Sequence, residues 1–241
     1  MESLVSQNNI HNISQSNADI IEEISIDCVI FGFNKQNLEV LLVQHAEGES
    51  IGKWGLIGGW VKIKESTDDA AHRIVKELTN LNDLYLEQLK AFTDPDRVIS
   101  ERVITIGYYT LLNREDYNIK AGLKVFEAKW HKISEMPDLI FDHKEILDYS
   151  LKHLRNRVCQ APIGFNLLPE KFTLLQLMHL YEEILGVELD KSNFRRKILH
   201  MKLLIALDEK QKDVSHRAAQ LYKFDAEIYT KLTEKGFNFE F

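Results

Sequence analysis

The sequence predicts an α+β protein in two parts, a sandwich of strands and helices followed by a small winged helix-turn-helix unit. Three observations carry this. Two β-branched, apolar runs flank a polar turn at Asn34–Asn37, followed by three more strand-like runs. One stretch, around residues 142–158, repeats apolar residues at helical spacing, and another, around 66–80, opens on residues suited to capping a helix. After a Pro- and Gly-containing joint come two short helical patterns and then a hairpin pattern. At 241 residues the chain suits two domains. The expected division is a lead-in over 1–19, a first domain over 20–158, a joint over 159–169 and a second domain over 170–241.

Residues 1–19, rich in Asn, Ser and Gln, read as a flexible lead-in. ISIDCVIFGF and LEVLLVQHA then form the expected first hairpin. A glycine-rich turn at Gly52–Trp60 leads to a helix from about Ser66 to Asn80. Ser66 or Thr67 is suited to capping its first amides, and Asp68 and Asp69 suit its positive end. Strands are expected at Leu84–Thr93, Arg102–Leu112 and Val125–Trp130, with Arg97 on the loop DPDRVISE. A second amphipathic helix runs over Asp142–Val158, with Ile146, Leu147, Leu151 and Leu154 on its apolar side.

Charge is distributed unevenly. The chain carries −7 overall, which argues against polyanion binding by the whole surface, yet residues 191–223 hold nine basic and three acidic side chains. Two distant cysteines, Cys28 and Cys159, indicate neither a disulfide framework nor a zinc site, which suits a reducing cytoplasm. No apolar run approaches the roughly 18 residues of a membrane span. The expectation is a cytoplasmic protein without a membrane partner.

In the second part, KFTLLQLMHLYEEIL is an apolar helix stopped by Gly186. The next helix begins near Ser192. A turn of 100° per residue places Phe194, Ile198 and Met201 on one side and Ser192, Asn193, Arg196 and His200 on the other, flanked by Arg195, Lys197 and Lys202. That pattern fits a second helix entering the major groove, where Asn reads adenine, Arg reads guanine and flanking cations meet phosphates. LLIAL, DEKQKDVS and HRAAQLYKF read as a basic wing carrying Arg217 and Lys223. A basic helix alone more often marks a solvated face. The pairing of helices, the hairpin and the local charge together favour DNA.

The stretch WGLIGGWVKIKESTDDAAHRIVKELTNL carries a more specific pattern. Gly59 is followed at set spacings by Glu65, Arg73, Glu77 and Leu81. This resembles the Nudix box, in which a glycine, a loop glutamate and a helix bearing Arg and several Glu hold a divalent metal against a diphosphate. Ile74 and Leu78 stand where that family has metal-binding glutamates, and Asn80 replaces its last glycine. Since Mg²⁺ takes near-octahedral oxygen ligation with one or two carboxylates, the box reads as a scaffold that has lost hydrolysis. No metal, cofactor or catalytic residue is expected.

A Nudix-like domain followed by FTLLQLMHLYEEILG, NFRRKIL and RAAQLYKF resembles the Nudix-related transcriptional regulators over roughly Ile24 to Phe224. The resemblance implies a Nudix-like α/β/α sandwich behind which a winged helix-turn-helix binds operator DNA. It also implies a homodimer and a small effector. Trp60, Lys62, Glu77, Asp94, Arg97 and Glu101 are effector candidates by position. With the metal carboxylates gone, a pentose such as arabinose is favoured over ADP-ribose, the other effector known in the family. The DNA candidates are Ser192, Asn193, Arg195, Arg196, Lys197, His200, Lys202, Arg217 and Lys223. Two alternatives are a nucleoside diphosphate hydrolase using Glu77 and Glu101 on Mg²⁺, and a binding module without DNA contacts.

Overall fold

The computed structural model describes residues 23–99, 101–122, 124–212 and 218–235. The expected lead-in over 1–19 and Arg217 in the wing therefore lie outside the described residues.

The longest strand, β1 (Glu23–Phe33), organises the first domain. It pairs in parallel with β6 (Val103–Asn113) along its whole length. At its far end it pairs antiparallel with β2 (Leu38–His45), and at its near end with β4 (Ile57–Trp60). The β1–β2 turn is closed by Asn34, whose side chain accepts from the amides of Gln36 and Asn37. β3 (Trp54–Gly55) and β7 (Val125–Lys132) both pair with β2, and β5 (Glu87–Phe92) pairs with β6. β1 and β2 read as nearly continuous apolar runs because both faces of the sheet are covered.

α1 (Thr67–Thr79) covers one face and α2 (His143–Gln160) the other. Ser66 caps α1 through the Asp69 amide, and Asp68 and Asp69 sit at its positive end. α1 stops at Asn80, which adopts φ 59°, the left-handed conformation that favours glycine and that Asn tolerates. Ala70, Ala71, Ile74 and Val75 bury its inner stripe against Ile26, Cys28 and Ile57. On the other face α2 buries Ile146, Leu147, Leu151, Leu154 and Val158.

The joint is packed against the core. α2 continues to Gln160, and a 3-10 turn at Ile163–Leu167 buries Phe165 and Leu167. α3 (Leu174–Leu185) follows, with a capping box between Thr173 and Gln176 and Gly186 as a left-handed stop. α4 (Lys191–His200) is capped by Asp190, two residues before the Ser192 that the sequence suggested as its start. β8 (Leu204–Lys210) and β9 (Gln220–Phe224) form the wing, and α5 (Ala226–Thr233) closes the described chain.

One apolar core runs through both parts. It joins Val29, Phe31 and Phe33 of β1 to Leu177, Leu180 and Tyr181 of α3 and to Phe194 and Ile198 of α4. The β1–β2 turn grips α3 directly: the Leu38 amide donates to Glu183 Oε2 at 3.1 Å, and His179 Nε2 donates to the Gln36 carbonyl at 2.7 Å. Among the described residues no helix is long and apolar enough to cross a membrane.

Candidate functional site

The box residues converge as their spacing requires. Gly59, on β4, faces α1 so closely that a Cβ there would sit 3.3 Å from the Ile74 side chain. The loop from Lys62 to Ser66 is folded by Glu65, which accepts from the Lys62 amide at 2.7 Å. Arg73, midway along α1, reaches back to the same carboxylate: Nε donates to Glu65 Oε2 at 2.8 Å and Nη2 to Oε1 at 2.5 Å. Its Nη2 also donates to the Trp60 carbonyl at 2.9 Å, and Nη1 to Glu77 Oε2 at 3.1 Å. This fork pins the loop between β4 and the helix. The hydrogen bonds from Arg73 hold the Glu65 carboxyl down to about 2.

The donor set does not suit a divalent cation. Ile74 is buried under Gly59, and Leu78 packs against the apolar core beneath α1. Both oxygens of Glu65 are taken by Arg73 and the Lys62 amide. Glu77 is shared between Arg73 and the ammonium of Lys62, 3.9 Å away. Among the described residues no group of three or more His, Cys, Asp or Glu side chains is placed to hold a metal.

The six effector candidates do not share one environment. Lys62 and Glu77 stand exposed over α1. Trp60 at the end of β4, with Asp94 and Glu101 on the β5–β6 loop, is also exposed. Arg97 lies on the same loop but is buried. Its guanidinium is turned inward, donating from Nε and Nη2 to Asp142 at 2.8 and 2.7 Å and from Nη1 to Thr105. Asp27 lies 3.5 Å from the same guanidinium and also faces His143 Nε2 at 3.5 Å.

The group of buried Asp27 and His143 with half-buried Asp142 escaped sequence reasoning. Its one visible signal is an acid inside the apolar run ISIDCVIFGF. Burial, outweighing the attraction of Arg97, pushes Asp27 up to about 7, and burial holds His143 down to about 4. His143 Nδ1 accepts from the Leu56 amide at 2.9 Å. Gly58 is required here, since a Cβ would fall 2.1 Å from Asp27 Oδ1. The network thus ties β1, the β5–β6 loop, α2 and the box turn together. A cavity of about 500 Å³ opens elsewhere, between the β1–β2 turn and α3, and none of the six candidates lines it.

The second surface is α4. Phe194 and Ile198 are buried, while Ser192, Asn193, Arg195, Arg196, Lys197 and His200 are exposed along the other side. Lys202 follows, exposed, with φ 57°. Arg196 Nη2 donates to Asn193 Oδ1 at 2.7 Å, so the two side chains with base-reading chemistry stand side by side. On the wing, Lys223 is exposed and paired with Glu170 at 2.7 Å. A two-residue bridge between Phe172 and Tyr222 seals the root of the wing to the start of α3.

Comparison with known proteins agrees with both halves. The chain is 29% identical over 210 residues to the "ADPR responsive transcriptional repressor NtrR" of Acinetobacter baylyi, covering 86% of this chain and 83% of that one. It is similar to the crystal structure of Shewanella oneidensis NrtR complexed with a 27mer DNA, at 27% identity and a TM-score of 0.69, over 90% of this chain and 97% of the other. Its first half is 31% identical over 127 residues to an ADP-ribose pyrophosphatase of Methanocaldococcus jannaschii, covering 52% of this chain and 72% of the relative. The NrtR DNA-binding winged helix domain matches residues 164–224 and the NUDIX domain residues 22–153, more than half of the chain. The chain therefore belongs to the NUDIX domain family, with an NrtR-type winged helix domain joined behind it.

Proposed function

We propose that this chain is a DNA-binding transcriptional repressor whose NUDIX domain senses ADP-ribose without hydrolysing it. The observation that carries the reading is α4, whose outward face holds Asn193 and Arg196 in contact while its inner face is locked into the core. Arg and Asn supply the bidentate donor and acceptor patterns that read base edges, and Arg195, Lys197, Lys202 and Lys223 supply cations for phosphates. A homodimer follows from the short reach of one helix: a single α4 reads a half-site, and two-fold symmetry reads a palindrome. The protein would act in the cytoplasm, on double-stranded operator DNA.

ADP-ribose replaces the uncharged pentose as the effector. The Acinetobacter relative is named as responsive to ADPR and the Methanocaldococcus relative as an ADP-ribose pyrophosphatase, and neither name gives a free sugar. Trp60 offers an aromatic face and Lys62 a cation at the mouth of the box. The second relative also favours a competing reading, ADP-ribose hydrolysis. Against it stands the donor set, with aliphatic Ile74 and Leu78 at the metal positions and Glu77 already paired.

Selecting bound duplexes from a random pool tests the reading. A palindromic site whose recovery is lost with Arg196→Ala is the expected result. Recovery without sequence preference would reject it.

A further inference from the structure

A box that holds a diphosphate through a metal needs free carboxylate oxygens, and this one has few. Mg²⁺ demands near-octahedral oxygen ligation and seldom works with fewer than one or two carboxylates. Glu65 accepts three hydrogen bonds, two from Arg73 and one from the Lys62 amide, and Glu77 accepts from Arg73 at 3.1 Å. The positions that would supply further oxygens carry Ile74, under Gly59, and Leu78. Two carboxylates facing two cations leave this cradle with no excess negative charge to attract a divalent ion.

Lys62 is the cation with capacity to spare. Its side chain is 65% exposed, and its Nζ lies 3.9 Å from Glu77 Oε1, within ion-pair reach but beyond hydrogen-bonding distance. All three ammonium donors are therefore not consumed by Glu77. Arg73 is less available, because four of its five donors are committed to Glu65, Glu77 and the Trp60 carbonyl. Resting on the ADP-ribose reading above, we propose that Lys62 stands in for the missing metal, so that the diphosphate of the effector is bound by an ammonium group and not through a divalent cation. The Glu77 contact then holds Lys62 over the cradle until a phosphate displaces it, a swap of one charged acceptor for another.

The test is calorimetric titration of ADP-ribose into the full chain, first in EDTA and then with excess Mg²⁺. Affinities agreeing within about twofold are expected. Lys62→Ala should weaken binding about tenfold or more while leaving the thermal midpoint and operator affinity in place, and Lys62→Arg should restore part of the loss. Binding that appears only with Mg²⁺ overturns the proposal, as does an unchanged affinity in Lys62→Ala. Electron paramagnetic resonance adds a direct arm: Mn²⁺ bound by the ligand-free protein and lost on Glu77→Gln would also overturn it. If ADP-ribose binds under neither condition while Arg196→Ala still abolishes operator recognition, the effector assignment falls and this proposal with it, and the DNA reading stands.

Discussion

Arg196 Nη2 donates to Asn193 Oδ1 at 2.7 Å, one turn apart on the outward face of α4. The contact orients both side chains before any DNA arrives, which reduces the entropy lost on binding. Replacing Arg196 by Ala should cost about 1–3 kcal/mol of specific operator affinity and relax preference at one base pair. Because the two residues touch, Asn193→Ala and Arg196→Ala should be non-additive by about 0.5–3 kcal/mol in a double-mutant cycle followed by fluorescence anisotropy.

The flanking cations should behave differently. Lys197→Ala or Lys202→Ala should weaken binding to all duplexes alike and reduce the slope of log affinity against log salt by about 1. Anisotropy titrations across a salt series check this, and a loss confined to one sequence would place those lysines on bases instead.

Glu77→Gln separates regulator from hydrolase. The expected result is no Mg²⁺-dependent release of AMP from ADP-ribose by either the native chain or the variant, with operator affinity shifted less than about twofold. Turnover in the native chain that disappears in the variant would assign Glu77 to metal chemistry.

The buried acid and imidazole beneath Gly58 predict a pH signature. Asp27 is raised from 3.8 to about 7, so the folded chain holds a proton that the unfolded chain releases, and stability is lost as pH rises through that window. His143 is lowered from 6.5 to about 4, so the unfolded chain takes a proton that the folded one refuses, and stability is lost as pH falls through its window. The two slopes oppose each other between about 4 and 6.5. In Asp27→Asn only the second remains. Urea unfolding at stepped pH should show the native chain gaining stability on the variant as pH falls from 7 to 4. A constant difference would mean that Asp27 is ionised throughout.

Two backbone positions make sharper structural predictions. Gly58→Ala drives a methyl against Asp27 Oδ1 and should destabilise by about 1–3 kcal/mol, as overpacking does. Asn80→Ala keeps φ 59° without the residue type that tolerates it and should cost about 1–2 kcal/mol. Thermal midpoints measure both.

Much of this was legible because local rules sufficed. The Asn34–Asn37 turn, Ser66 as cap, Gly186 as stop and Phe194 and Ile198 as the inner stripe of α4 follow from short-range chemistry. The Arg73–Glu77 pair was legible from spacing, since residues four apart on a helix share a face, while Glu65 entered only through the resemblance to the Nudix box. What sequence could not place depends on contacts between distant segments. Arg97 looked like a loop cation because nothing local reveals that Asp142, forty-five residues later, would draw it inside. Pro and Gly marked the joint at 159–169 as turn signals do, but only the assembled core shows Phe165 and Leu167 buried within it. The preference for a sugar finds no support in the relatives, which are named for ADPR and ADP-ribose: it read the loss of metal carboxylates as the loss of the diphosphate and weighed no other anion partner.

In the function proposed above, the regulator lets go of, or takes hold of, its operator according to the effector it carries. Anisotropy of a labelled selected operator, titrated with ADP-ribose in EDTA, measures that coupling most directly. The prediction is a shift in operator affinity of about 5- to 150-fold, the usual range for linked sites, with no effect of arabinose. An operator affinity indifferent to ADP-ribose, together with steady hydrolysis of it once Mg²⁺ is added, would contradict the account.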